Sequence, residues 1–276
     1  MTYLSYTPRP PLNQFVQCLW QVIDGQAVRK ERILPSGTTE LVVNLHCDEV
    51  KIDSRHNSSR PMNLRGMAIS GPYSGVFTID AMQHTAIMGV HFRPGGAFAL
   101  LGVPSSELTD THLDAVDLWG DGAVRELRDR LGATTGPQER FQIMNDALSR
   151  RLRSARRQHP VVQLALRCFG PNGTGVQVRE VARSVGLSHR SLITIFTREV
   201  GLSPKVFCRI LRFRYLYGLA QENGKLDWAQ VALACGFFDQ SHLSNEFRKL
   251  SGLSPTEYLR QLQASRNVLP GHIAML

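Results

Sequence analysis

The sequence predicts an α+β chain in two parts: a β-rich, barrel-like N-terminal domain that ends in a helical segment, then an all-α C-terminal domain. Three observations carry this. One stretch occurs twice, as Val181 to Phe207 and again as Val231 to Tyr258. Short apolar runs between Gly, Pro, Asn and Ser clusters fill residues 20–100, with no helical pattern between them. Charge divides with the chain. Residues 1–155 carry 16 Lys and Arg against 16 Asp and Glu, and residues 156–276 carry 16 against 7, so the formal net charge of +9 lies in the half that holds the repeat.

A length of 276 residues favours two domains. No apolar run reaches the length of a membrane span, and the N-terminus lacks a basic start followed by an apolar stretch. No membrane partner is therefore expected, and the cytoplasm is the expected compartment. Cysteines 18, 47, 168, 208 and 235 are scattered, odd in number and form no CxxC, so they read as small core residues.

Taken in order, the chain begins proline-rich and turns apolar by Trp20. Glu40 to Leu45, Gly75 to Ile79 and Ile87 to Phe92 read as strands, and strands without intervening helices suggest a small barrel or sandwich. Residues 51–65 are polar and read as an exposed loop. Arg93-Pro94-Gly95-Gly96 suits a strand-ending turn better than an anion cradle. Ala97 to Leu101 reads as a short helix, and from Asp114 the pattern is helical. Val124, Leu127 and Leu131 share one face; Phe141, Met144, Leu148 and Leu152 share another, after Pro137 in a first turn. Those two stripes point to a homodimer through residues 121–152. This gives an N-terminal sensor or dimerisation domain over 1–155, β-rich over 8–100 and helical over 114–155. The basic run to Arg157 marks the boundary. A C-terminal domain follows over 160–262, and residues 263–276 read as a loose tail.

Within the repeat, Val178-Val181-Ala182-Val185 and Trp228-Val231-Ala232-Cys235 recur at three- and four-residue steps, which defines one buried face each. Gly186 and Gly236 follow, where positive φ stops a helix. Ser188 and Asp239 then stand where N-caps belong. Leu192, Ile195 and Phe196 make the inner face of the next helix, and Leu243, Phe247 and Leu250 do so in the second copy. The copies match at an offset of 50 as far as Gly186 and Gly236, and at 51 from Leu192 and Leu243 onward, so the second holds one extra residue. Helix, Gly turn, polar start and apolar-faced helix is the pattern of a helix-turn-helix. Pro204 to Gln221 is a linker helix that fixes the spacing of the two units. A basic domain with this repeat attracts DNA phosphates. Ser188, Arg198, Arg209, Arg212, Arg248 and Lys249 are the expected phosphate contacts.

Other chemistry is not indicated. Phosphate-loop, nucleophile-elbow and metal-helix motifs are missing from the sequence. His84 and His91 lie seven apart without an H-x-H pair, so neither a metal nor a cofactor is expected. Glu40 reads as a solvated rim charge rather than a pocket residue.

Ala232-(x3)-Gly236-Phe237, Asp239-Gln240-Ser241-His242-Leu243-Ser244, Phe247-Arg248-Lys249 and Gly252-Leu253-Ser254-Pro255-(x2)-Tyr258 together resemble the signature of the AraC/XylS transcription regulators. The likeness covers residues 161–262. Residues 8–120, through Phe92 to Asp110, are similar to an uncharacterised N-terminal domain found on some members. The resemblance implies two recognition helices in successive major grooves. It also implies base reading by Arg190, Ile193 and Thr194 in the first unit and by Gln240, Ser241, Ser244 and Asn245 in the second. Gln240 lies on the first helical turn, with Arg190 at the comparable place in the first unit. RNA polymerase is an implied partner, and a small-molecule effector or dimerisation is the implied control. The expected function is sequence-specific transcription regulation without enzymatic activity. The alternative is an enzyme whose β-rich half is delivered to DNA, but the cysteines lack the spacing that the known alkyltransferase precedent needs.

Overall fold

The computed structural model describes residues 2–23, 30–54, 61–80, 86–173, 177–223, 227–264 and 271–274. The chain lays down β1 (Thr2–Tyr6), β2 (Val16–Ile23), β3 (Glu31–Ile33), β4 (Glu40–Asn44), β5 (Val50–Ser54), β6 (Met62–Leu64), β7 (Met67–Ser70), β8 (Phe77–Ile79) and β9 (Ala86–Phe92) before its first α-helix. Helix α1 (Gly96–Leu101), β10 (His112–Asp114), α2 (Ala115–Trp119), α3 (Asp121–Gly132) and α4 (Pro137–Leu152) follow. One sheet of six strands has the order β1-β2-β9-β4-β7-β10.

Two-residue alternation gives this sheet two working faces. On β4, Leu41 and Val43 point to a core shared with Met88, Val90, Leu127, Leu131, Met144 and Leu148, while Val42 points to the other side. The stripes of α3 and α4 are thus buried against their own sheet. Val124 and Leu127 are 4% and 5% exposed, and Met144 and Leu148 are at zero, so these residues are not the surface of a dimer.

The second sheet has five strands in the order β11-β3-β8-β5-β6, where β11 (His272–Ala274) comes from the far end of the chain. The two sheets share no strand, so the domain is an open pair of sheets and the expected barrel is not closed. The expected loop at 51–65 is corrected by β5 and β6, which pair Val50 with Leu64 and Ile52 with Met62. Val50, Ile52 and Leu64 are buried at every second position, a pattern diluted by polar alternates. Residues 55–60 lie outside the described residues, and so does His84.

Of the expected loose tail at 263–276, residues 265–270 and 275–276 lie outside the described residues, and residues 271–274 correct the expectation. His272 to Ala274 pairs antiparallel with Ile33 to Glu31, and the Leu34 N–H donates to the Gly271 carbonyl at 2.9 Å. Ile273, 2% exposed, supplies the apolar anchor.

The C-terminal half is helical: α5 (Pro160–Phe169), α6 (Val178–Ser184), α7 (His189–Val200), α8 (Pro204–Asn223), α9 (Trp228–Ala234), α10 (Gln240–Ser251) and α11 (Pro255–Ala264). Its core is a chain of aromatic edges, Phe169 to Phe196 to Phe207 and Phe213 to Phe247 to Tyr258, with ring centroids 5.0–5.6 Å apart. Leu34, which follows β3, and Ile273 of β11 join that core. At the junction the Thr109 hydroxyl donates to the Gly201 carbonyl, and Arg214 Nη1 donates to the Ser36 carbonyl at 3.2 Å. Among the described residues no helix is long and apolar enough to cross a membrane.

Candidate nucleic-acid interface

The two helix pairs are built alike. Gly186 and Gly236 end α6 and α9 at φ +70° and +74°, a backbone that costs glycine nothing. Ser188 Oγ accepts from the Ser191 N–H at 3.0 Å and starts α7. Asp239 Oδ1 accepts from the His242 N–H at 2.7 Å and starts α10. Leu192, Phe196, Leu243 and Phe247 are buried at 0–1% exposure and fix one face of each helix inward. The opposite faces are therefore open. Arg190, Thr194, Gln240, Ser241 and Asn245 are exposed, with Ile193 and Ser244 half-buried beside them. These residues recur at three- and four-residue steps, so each set shares one helix face. The Thr194 hydroxyl turns back to the Arg190 carbonyl at 3.0 Å.

The 51-residue offset pairs Arg190 with Ser241, and His189 with Gln240. The first-unit counterpart of Gln240 is thus the exposed His189, the opening residue of α7, rather than Arg190. Sequence reasoning passed over His189, although counting along the offset finds it. It also passed over Phe238, which is 86% exposed and is the extra residue of the second turn.

Helix α8 sets the spacing. Its twenty residues span about 30 Å, and Phe207, Ile210, Phe213 and Leu216 bury its inner face. Its arginines are largely occupied. Arg209 forms an ion pair with Glu246 of α10. The Arg212 guanidinium lies 5.5 Å from the Phe237 ring centroid. Elsewhere, Arg198 lies 5.8 Å from the Phe98 ring of the N-terminal domain, and Lys249 bonds Glu246 at 3.0 Å. Ser188 is spent on its cap, and Arg248 is exposed.

Most acids of this half have structural partners. Asp227 and Asp239 cap α9 and α10. Glu257 and Ser254 bond each other reciprocally at the start of α11. Glu199, 5% exposed, accepts from the His159 N–H at the start of α5; its carboxyl is raised by burial, which outweighs that bond. Glu180 is exposed beside Arg179 and Arg183, while Arg190 and Arg248 are exposed on α7 and α10, and the excess of basic over acidic residues sets the field.

The N-terminal domain holds a different site. Between the sheets a crevice of about 50 Å³ is lined by Trp20, Val42, Ile52, Phe77 and Ile87, with Glu40, Ser70, His112 and His272 as its polar lining. A neighbouring cavity of about 180 Å³ shares Glu40 and His272 and adds Cys18, His91, Arg214 and Tyr217. Glu40 is therefore a pocket residue, corrected from a rim charge. Its Oε1 meets His91 Nδ1 at 2.9 Å. Burial works against both charges, but each holds the other charged: Glu40 sits below the usual carboxylate range and His91 above the usual imidazole value. Among the described residues no group of His, Cys, Asp and Glu is arranged to hold a metal ion.

Two helix-turn-helix units on a connecting helix, each with an open polar face, make the C-terminal half a double helix-turn-helix domain. Residues 181–261 match the family described as a helix-turn-helix domain, and residues 4–114 match a domain of unknown function (DUF6597). The C-terminal half thus carries a helix-turn-helix domain of the AraC type. It is 31% identical over 94 residues to the Msm operon regulatory protein of Streptococcus mutans, covering 33% of this chain and 32% of that one. It is 29% identical over 94 residues to the melibiose operon regulatory protein of Escherichia coli, covering 34% and 31%. The chain thus spans about a third of the length of these curated relatives. A solved transcriptional regulator from Chromobacterium violaceum, described as AraC-type, is similar at 27% identity and TM-score 0.35 over 39% of this chain and 95% of its own.

Proposed function

We propose that this chain is a sequence-specific DNA-binding transcription regulator that works in the cytoplasm, without enzymatic activity, and lays α7 and α10 into successive major grooves on one face of the duplex. The observation that carries this reading is the pair of capped helices with inward apolar and outward polar faces, joined by a helix long enough to set them about one DNA turn apart. Arg190, Ile193, Thr194, Gln240, Ser241, Ser244 and Asn245 read bases. Arg248 is the phosphate contact best placed by its exposure; Arg198, Arg209, Arg212 and Lys249 first give up the partners they hold here. The N-terminal domain exerts control, through a small-molecule effector or through homodimerisation. A dimer over residues 121–152 uses the polar outer faces of α3 and α4, since the apolar faces are buried. RNA polymerase is the further partner in this reading.

The test compares binding to DNA upstream of the protein's own gene with binding to a scrambled duplex of equal length at fixed salt. Preference for the upstream DNA supports the reading, and equal affinity for the two sinks it. Log affinity should also fall with log salt by about 0.9 per phosphate contact.

A further inference from the structure

We infer that Phe238 is a base-contacting residue of the second reading head and that its ring packs on the 5-methyl group of a thymine in the major groove. The inference rests on the DNA-reading role proposed for α10.

The two turns differ by one residue. Gly186-Leu187-Ser188 in the first becomes Gly236-Phe237-Phe238-Asp239 in the second. Phe237, 7% exposed, takes the inward place of the half-buried Leu187. Asp239 takes the capping place of Ser188. Phe238 is left with neither role, and its ring is 86% exposed, more than any other large apolar side chain described. Burial would have been favourable for a ring of that size, and the fold does not provide it.

The backbone that carries the ring is fixed by its neighbours. Asp239 fixes the following turn through the His242 N–H at 2.7 Å, and the Phe238 N–H donates to His242 Nδ1 at 3.4 Å. The His242 ring in turn stands edge-on to Phe237, at 5.4 Å between centroids. Phe238 therefore sits one residue before the cap and two before Gln240, at the end of α10 that enters the groove in a helix-turn-helix.

The surroundings favour DNA over a protein surface. Asp239, Gln240, Ser241 and His242, which follow Phe238, are all exposed and polar. An apolar protein face would call for a contiguous apolar patch. Leu233, 70% exposed, lies five residues earlier in the last turn of α9, and the four polar residues that follow Phe238 give its ring a setting that matches the major groove, where the thymine methyl is the apolar feature among donors and acceptors.

The experiment uses the full chain and the strongest duplex enriched from a randomised pool. Each thymine of that duplex is replaced in turn by deoxyuridine, which removes only the methyl. One or two positions, beside those altered by Gln240→Ala, should weaken wild-type binding about three- to fivefold, the loss carried by one buried methyl. Phe238→Ala should lose that factor on thymine DNA and be indifferent to the swap; Phe238→Leu should keep part of the sensitivity. Because the ring is exposed, both variants should melt with the wild type. An unchanged uracil sensitivity in Phe238→Ala overturns the assignment, and so does equal weakening on specific and scrambled DNA. A pool that enriches no sequence overturns the DNA-reading role itself, and the assignment falls with it.

Discussion

Arg209 of the linker helix and Glu246 of the second reading helix form an ion pair, so α8 grips α10 directly. Lys249 reaches the same carboxylate at 3.0 Å. Burial alone would raise the Glu246 carboxyl, but Lys249 and Arg209 outweigh it and hold it below its usual value. A depressed carboxyl contributes stability above its unfolded value of 4.5 and loses it as pH falls through the lower folded value. Glu246→Gln should lower stability at pH 7 by about 0.5–1 kcal/mol. Denaturant midpoints should converge with the wild type as the solution is acidified, and a constant gap would show that the loss is not electrostatic.

The Glu40–His91 pair has the more useful pH signature. His91, raised above 6.5, contributes stability that is complete below that value and lost as pH rises through the folded value. Glu40, depressed below 4.5, contributes stability above 4.5 that is lost in stronger acid. The pair is therefore fully formed between these limits, with Arg214 the nearby charge that opposes His91. Stability of the N-terminal domain should fall on going from pH 6 to pH 8, and His91→Gln should flatten that slope. Chemical denaturation at the two pH values decides it.

Gly201 closes α7 at φ +91° and lies against the other domain. A Cβ there would meet the Pro72 ring and come within 2.8 Å of the Ser105 carbonyl. Gly201→Ala should destabilise the protein by about 2 kcal/mol or more, because both the backbone and the junction resist it. Thermal melting reads the loss. Gly186→Ala is the control, since nothing lies within 4 Å of its Cβ position and only the backbone term applies.

Gln240→Ala should weaken DNA binding by about 1–3 kcal/mol at its preferred site and relax preference at one or two base pairs. Those pairs should lie about ten from the ones altered by Arg190→Ala. Single-base variants of the site, measured with both mutants, check the spacing. Uniform weakening over every variant would mark Gln240 as a cap or phosphate residue.

Much of the C-terminal half was legible in the sequence, because each of its signals is local. Apolar steps of three and four, a glycine of positive φ and a polar cap fall within one stretch, and they placed α7, α8 and α10. The linker arginines were less legible. Arg209 and Arg212 read as phosphate contacts until Glu246 and the Phe237 ring appeared beside them, and those partners lie 37 and 25 positions away along the chain. The strands at β5 and β6 were missed because every second residue is polar and the strands are short. Glu40 was misread because His91, its partner, comes from another strand. The stripes at 121–152 were visible, but a stripe does not say whether it covers a sheet or a second chain.

The pairing of His272–Ala274 with β3 means that chain order and sheet order disagree. A protein made from its N-terminus forms β3 early and makes this neighbour of that strand only after both helix-turn-helix units. Until residues 272–274 leave the ribosome, one edge of the five-stranded sheet has open N–H and C=O groups, and such an edge invites pairing with another chain. A product halted after α10 would carry both helix-turn-helix units together with that uncovered edge.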